Sequence, residues 1–147
     1  MSSARSFFDK IQQEKVQNTI AKAEKATSGE IRVFVDNRCE GDAVKKAIGL
    51  FEKLKMHKTA QKNGVLFYLA VKSQKFAVVG DKGINDVVPV GFWDNIKEQM
   101  QQHFVKGEFT EGLCIGIQMA GEKLKHHFPF QKGDTNELSN EMSFGKN

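Results

Sequence analysis

The run Val65-Leu66-Phe67-Tyr68-Leu69-Ala70-Val71 constrains this chain more than any other feature. Seven consecutive apolar residues leave no face for water, so the segment has to be covered on both sides. It falls far short of the ~20 apolar residues that cross a bilayer. Turn chemistry bounds it, with Asn63-Gly64 before it and Lys72-Ser73-Gln74 after it. A short apolar run between turns is a central strand with a layer on each face.

The neighbouring segments supply the layers. Lys75–Val79 returns from the polar loop, so 65–79 is a β-hairpin. Upstream, Ile31, Val33 and Val35 share one face of a strand and Phe34 takes the other. Asp36–Asp42 is a polar loop, and Asp42 is a good N-cap for a helix with the stripe Ala43, Ala47, Ile48, Phe51 and Leu54. Strand, helix and strand over 31–71 make a βαβ unit with a parallel pair. A first helix is expected over 1–26, with Phe8, Ile11, Val16, Ile20 and Ala23 at helical spacing, ending at Thr27-Ser28-Gly29. Ile84–Val90 is a short helix or turn broken by Pro89. Helices are expected over Phe92–Phe104, up to the break at Gly107, and over Phe109–Phe128, up to Pro129. Together these predict an α/β fold, a sandwich whose short mixed central sheet (the βαβ unit plus the β-hairpin) carries helices on both faces. One domain is expected over 1–130, with Phe34, Phe67, Leu69, Val78, Trp93 and Leu113 in its core. Residues 131–147, polar apart from Leu138, Met142 and Phe144, are expected to form a mobile tail outside it.

Charge and cysteine content narrow the function. Lys and Arg total 22 against 18 Asp and Glu, a net charge of +4. The densest basic stretch (Lys45, Lys46, Lys53, Lys55, Lys58 and Lys62) contains only lysine and is broken by Glu52 and apolar residues. It reads first as a solvated helix face and does not favour nucleic acid as the partner. Cys39 and Cys114 form no CxxC and no zinc spacing, and a disulfide between them is left open. Cys114 lies on an apolar helix face, as a buried thiol does. Cys39 lies in the polar loop, with no histidine near it in sequence. MSSARSFFDK lacks the apolar core of a signal peptide, so the expected location is the cytoplasm, without a membrane span. Nucleotide-loop, zinc-protease and serine-hydrolase signatures are missing from the sequence. No catalytic residue is assigned.

The topology itself points to a site. With 31–35 and 65–71 parallel and 75–79 running back, one sheet edge collects Ser28, Glu30, Asn63, Asp81 and Lys82. Glu30 and Asp81 are flanked by Gly29, Gly80 and Gly83, whose backbones permit close approach. Asp86 is near in sequence. Carboxylates of Glu30, Asp81 and Asp86, with the Asn63 amide and the backbone at Gly80 and Gly83, make an oxygen-only set suited to Ca²⁺ or Mg²⁺. The alternative is that Glu30 pairs with a lysine and Asp81 caps a turn. The opposite edge, with Asp36, Asn37, Arg38, Glu40 and Asp42, stays in play because open α/β sheets often bind ligands beyond their strands' carboxyl ends.

The passage Ala23-Glu24-Lys25-Ala26-Thr27-Ser28-Gly29-Glu30-Ile31-Arg32-Val33 resembles the opening of the TPM domain family. Asn63-Gly64-Val65-Leu66, Phe76-Ala77-Val78-Val79-Gly80-Asp81-Lys82-Gly83-Ile84, Phe92-Trp93, Gly112-Leu113 and Phe128-Pro129 follow in order, so the resemblance spans about 7–130. It implies a three-layer α/β/α sandwich and divalent-cation binding. The chain is similar to the short bacterial members without signal peptide or membrane helix, which implies a LemA-type membrane protein as the partner of a monomeric module. Some members are described as acid phosphatases. The expected function is therefore a non-enzymatic module that binds a cation and a protein, with a metal-dependent phosphoesterase as the alternative.

Overall fold

The computed structural model describes residues 7–59, 61–130 and 140–145. The chain runs through α1 (Lys10–Glu24), β1 (Glu30–Asp36), α2 (Ala43–Lys53), a 3₁₀ turn (Met56–Lys58), β2 (Gly64–Ala70) and β3 (Lys75–Gly80). It continues through α3 (Lys82–Asn85), α4 (Asp94–Phe104), α5 (Phe109–His127) and β4 (Ser143–Phe144). The sheet order is β3-β2-β1-β4. β1 pairs parallel with β2 and with β4, and β2 pairs antiparallel with β3. The expected βαβ unit and hairpin are both present.

The two faces of the sheet bury different cores. Ile31, Val33 and Val35 of β1, with Val65, Phe67 and Leu69 of β2, pack against Val16 and Ile20 of α1, Ile96 and Met100 of α4, and Leu113 and Ile117 of α5. Leu66, Tyr68 and Ala70 turn the other way, onto Ala47, Leu50 and Phe51 of α2 and Met56 of the 3₁₀ turn. Alternation along β2 thus feeds both layers, and every residue of β2 is buried. Phe67→Ala would open the larger core at a cost of about 3–5 kcal/mol. Local chemistry fixes the helix starts. Asp9 and Gln12 form a capping box on α1. Asp42 caps α2, its side chain accepting from the Val44 N–H at 3.0 Å.

Several expectations need correction. The helix expected over 1–26 is interrupted at Phe8 and Asp9: Phe7 is helical, α1 runs Lys10–Glu24, and residues 1–6 lie outside the described residues. Ile11 and Ile48, counted in apolar stripes, are 77% and 53% exposed, because the sheet and α5 take neighbouring positions instead. Of the expected core, Phe67, Leu69, Val78 and Leu113 are buried, but Phe34 and Trp93 are half-buried. Phe34 stacks on Tyr68 at the rim of the smaller core, and Phe92 takes the interior place beside Trp93. Both cysteines are buried and unbridged. Cys39, expected in a solvated loop, is covered by the hairpin turn, where its N–H donates to Ser73 Oγ at 2.9 Å. Burial pushes the Cys114 thiol pKa up.

The largest correction concerns the tail. Residues 131–139 lie outside the described part, but 140–145 come back to the sheet. Ser143 and Phe144 pair with Phe34 and Val35, the Gly145 N–H donates to the Val35 carbonyl at 2.8 Å, and Met142 is buried in the larger core. Among the described residues no helix is long and apolar enough to cross a membrane.

Candidate functional site

The strand register assembles the expected edge. Glu30 stands opposite Gly64, and Val65 opposite Gly80. The Glu30 N–H donates to the Asn63 carbonyl at 3.3 Å, and the Asp81 N–H to the Gly64 carbonyl at 2.9 Å. The backbones of Glu30, Asn63, Gly80 and Asp81 therefore lie in one row across β1, β2 and β3.

Their side chains divide into two groups. Glu30 is 3% exposed and meets Glu24, the last residue of α1. The Glu24 carboxyl is pushed up to about 8, first by burial and then by the charge of Glu30 and the hydrogen bond shared with it. Two contacts hold it down against that shift: the Ile31 N–H, which donates to Glu24 Oε2 at 2.9 Å, and the Asn140 side chain. Two carboxyls in contact, one buried and one half-buried, share a proton, or hold a cation in its place. Asp81, at the β3 end of the row, uses one oxygen to accept from the Lys82 N–H at 2.7 Å, capping α3. Its other oxygen, Oδ2, is buried without a hydrogen-bond partner.

Asn63 sits between the two groups. It is 1% exposed, and its Nδ2 donates to Ser28 Oγ at 3.3 Å. Its Oδ1 is buried and unpartnered. Asp86 caps the far end of α3 and is exposed. Gly80 and Gly83 serve packing. A β-carbon on Gly80 would press on the Trp93 ring, and one on Gly83 would collide with the carbonyls of Gln61 and Lys62. Among the described residues no three His, Cys, Asp or Glu side chains come together closely enough to share an ion. Glu30, Asp81 and Asp86 thus do not form one carboxylate cluster. Glu24 is the residue that the sequence reading missed. On a helix it reads as one more solvated acid, and only the turn at 25–29 folds it back onto Glu30.

At the opposite edge Arg38, Glu40 and Asp42 are exposed, while Asp36 is already engaged. Asp36 is 2% exposed and accepts the Tyr68 hydroxyl at 2.6 Å. Burial and the neighbouring Asp36 push the Tyr68 pKa up, so it stays a donor. Lys75 Nζ donates to the carbonyls of Cys39 at 3.0 Å and Gly41 at 2.7 Å, tying the loop down.

The family model of the TPM domain matches residues 2–123. The chain belongs to the TPM domain family. BA42, a protein of the psychrophilic bacterium Bizionia argentinensis solved by NMR, is 43% identical, with a TM-score of 0.91 over 99% of this chain and 100% of that one. The amino-terminal domain of cg2496 from Corynebacterium glutamicum is 10% identical, with a TM-score of 0.64 over 95% of this chain and 81% of that one, a likeness of fold alone. None of the curated proteins matches. For this TPM domain, the family and the α/β sandwich agree with the sequence reading.

Proposed function

We propose that this TPM domain is a binding module that takes Ca²⁺ or Mg²⁺ at the amino-terminal edge of its sheet, and acts without catalysis. The observation that carries the reading is the contact between the half-buried Glu24 carboxyl and the buried Glu30 carboxyl. A hard divalent ion relieves such a pair and prefers an all-oxygen shell. The unpartnered Asn63 Oδ1 fits the same chemistry, and the free oxygen of Asp81 lies further along the same row. With two carboxylates and water filling the shell, the dissociation constant falls at the weak end, about 10⁻⁴–10⁻³ M. The ion competes with the shared proton, so binding strengthens as pH rises towards 8.

Titration with either ion, followed by backbone amide NMR, tests the reading. The expected shifts centre on Glu30, Ile31 and Asn63, and Glu30→Gln abolishes them. Asp81→Asn, which keeps the capping shape, weakens them and leaves the fold intact. Shifts centred on Asp36, Glu40 and Asp42 would move the site to the other edge. No shift at millimolar ion would remove it.

Catalysis is disfavoured by the nucleophiles. Both thiols are buried, and Asp36 is occupied by Tyr68. The expectation is no turnover of a chromogenic phosphate ester. Turnover that depends on the ion and stops with EDTA would establish the phosphoesterase instead. Val87 and Val90, exposed after α3, offer a protein partner an apolar contact.

A further inference from the structure

The cations of this chain are unevenly placed. Residues 43–62 carry six lysines and one acid, Glu52, so this segment alone exceeds the +4 of the whole chain. In the fold five of them belong to α2 and the turn after it, the helical layer on that side of the sheet, and Lys62 follows just before β2. Lys45, Lys46, Lys53, Lys55 and Lys58 are exposed, and among the described residues none of them forms an ion pair. A helix face whose charges support no intramolecular contact is available to an external anion.

The same helix exposes aliphatic side chains. Val44 and Ile48, one turn apart, are 41% and 53% exposed, while Ala43, Ala47, Leu50 and Phe51 face the sheet. Ile48 continues into a groove of about 460 Å³ between α2 and the end of β3. Phe51 and Val79 also line it, with Glu52, His57, Asp81 and Lys82 as polar lining residues, so its two acids lie on the groove side and the lysines of α2 outside it. Exposed lysines beside exposed aliphatic groups match an interface that is anionic at its surface and apolar just beneath. A nucleic acid would call for different groups. The segment has no arginine to grip phosphates bidentately and no Tyr or Trp, and its one phenylalanine, Phe51, is buried rather than offered for base stacking.

We infer that the outer face of α2 docks this domain on an anionic lipid surface, with Lys45, Lys46 and Lys53 among the headgroups and Val44 and Ile48 reaching the acyl boundary. This surface is separate from the Glu24–Glu30 pair and does not depend on it.

The test is co-sedimentation of the full chain with vesicles, in EDTA so that ion bridging plays no part. Binding is expected to vesicles containing phosphatidylglycerol and not to vesicles of phosphatidylcholine alone, and it should weaken as salt is raised. The triple variant Lys45→Gln, Lys46→Gln, Lys53→Gln should bind roughly a hundredfold more weakly, at about fivefold per lysine. Ile48→Ser should lose several-fold without lowering the melting temperature, since the side chain is exposed. Failure to sediment with the anionic vesicles, or equal sedimentation of the triple variant, overturns the inference. So does binding to a DNA oligonucleotide as tight as to vesicles with Ile48→Ser unaffected in both, which would leave a general polyanion surface.

Discussion

At the carboxyl end of β1, Asp36 is 2% exposed and accepts a phenol hydroxyl at 2.6 Å; at the amino end, Glu30 is 3% exposed and meets another carboxyl. Burial is equal and the neighbours are opposite in kind. A buried carboxylate given a neutral donor is settled, and contributes to stability. A buried carboxyl given a second carboxyl is settled only by a proton or a cation, so its stability depends on what the solvent supplies. One end of the sheet is built to hold the fold and the other to respond to its surroundings.

The strongest challenge to this contrast is removal of the segment that closes the sheet. Truncation after residue 139 removes β4, the buried Met142 and the Arg32–Ser143 hydrogen bonds, and also the Asn140 contact on Glu24. It should cost about 3–5 kcal/mol in urea melts, from one buried methionine side chain and two or three hydrogen bonds. A loss below about 1 kcal/mol would mean that the settled end does not need its cover.

The pH dependence sharpens the other side. The Glu24 pKa is raised from 4.5 to about 8, so the folded chain holds a proton that the unfolded chain releases. The stability tied to that proton is complete below pH 4.5 and is lost as pH rises through about 8. The expected fall is roughly 2–4 kcal/mol. Glu24→Gln should flatten this part of the curve, and Ca²⁺ should reduce the fall in the parent chain. A curve unchanged by Glu24→Gln would break the contrast.

The smallest effect compares one substitution at each end. Tyr68→Phe takes the donor from buried Asp36 and should cost about 1–3 kcal/mol. Asn63→Leu removes an oxygen that has no partner and, with it, the 3.3 Å hydrogen bond to Ser28 Oγ; the two offset, so stability should change by less than about 1 kcal/mol in either direction, while ion binding weakens. Equal costs in denaturant melts would show the two ends to be alike.

The sequence announced the layers because periodicity is a local signal. The unbroken apolar run of β2, the alternation of β1 and the Asp42 cap each declare themselves within a few residues. The row of Glu30, Asn63 and Asp81 followed from topology once those strands were placed. What stayed hidden depends on contacts between distant residues. β4 is two residues long, too short for any period, and its pairing is visible only from β1. Glu24 matters because a turn folds it onto Glu30, and no spacing rule for helices or strands joins positions on either side of such a turn. The two glycines assigned to a ligand show the same limit, since sequence reveals that a backbone can approach something but not what it approaches.

The pairing of β4 with β1 also orders events in time. Ser143 is 111 positions from Arg32, the residue whose side chain it receives. When β1 leaves the ribosome, its partner on that side has not been made. Until it arrives, the outer edge at Phe34 and Val35 offers unpaired N–H and C=O groups to any passing strand. A nascent chain halted before residue 143 would own its hairpin and its helices while lacking one wall of the sheet. Completion of the sheet therefore waits for residue 143, and a pause in translation before it is where strand exchange between neighbouring nascent chains would begin.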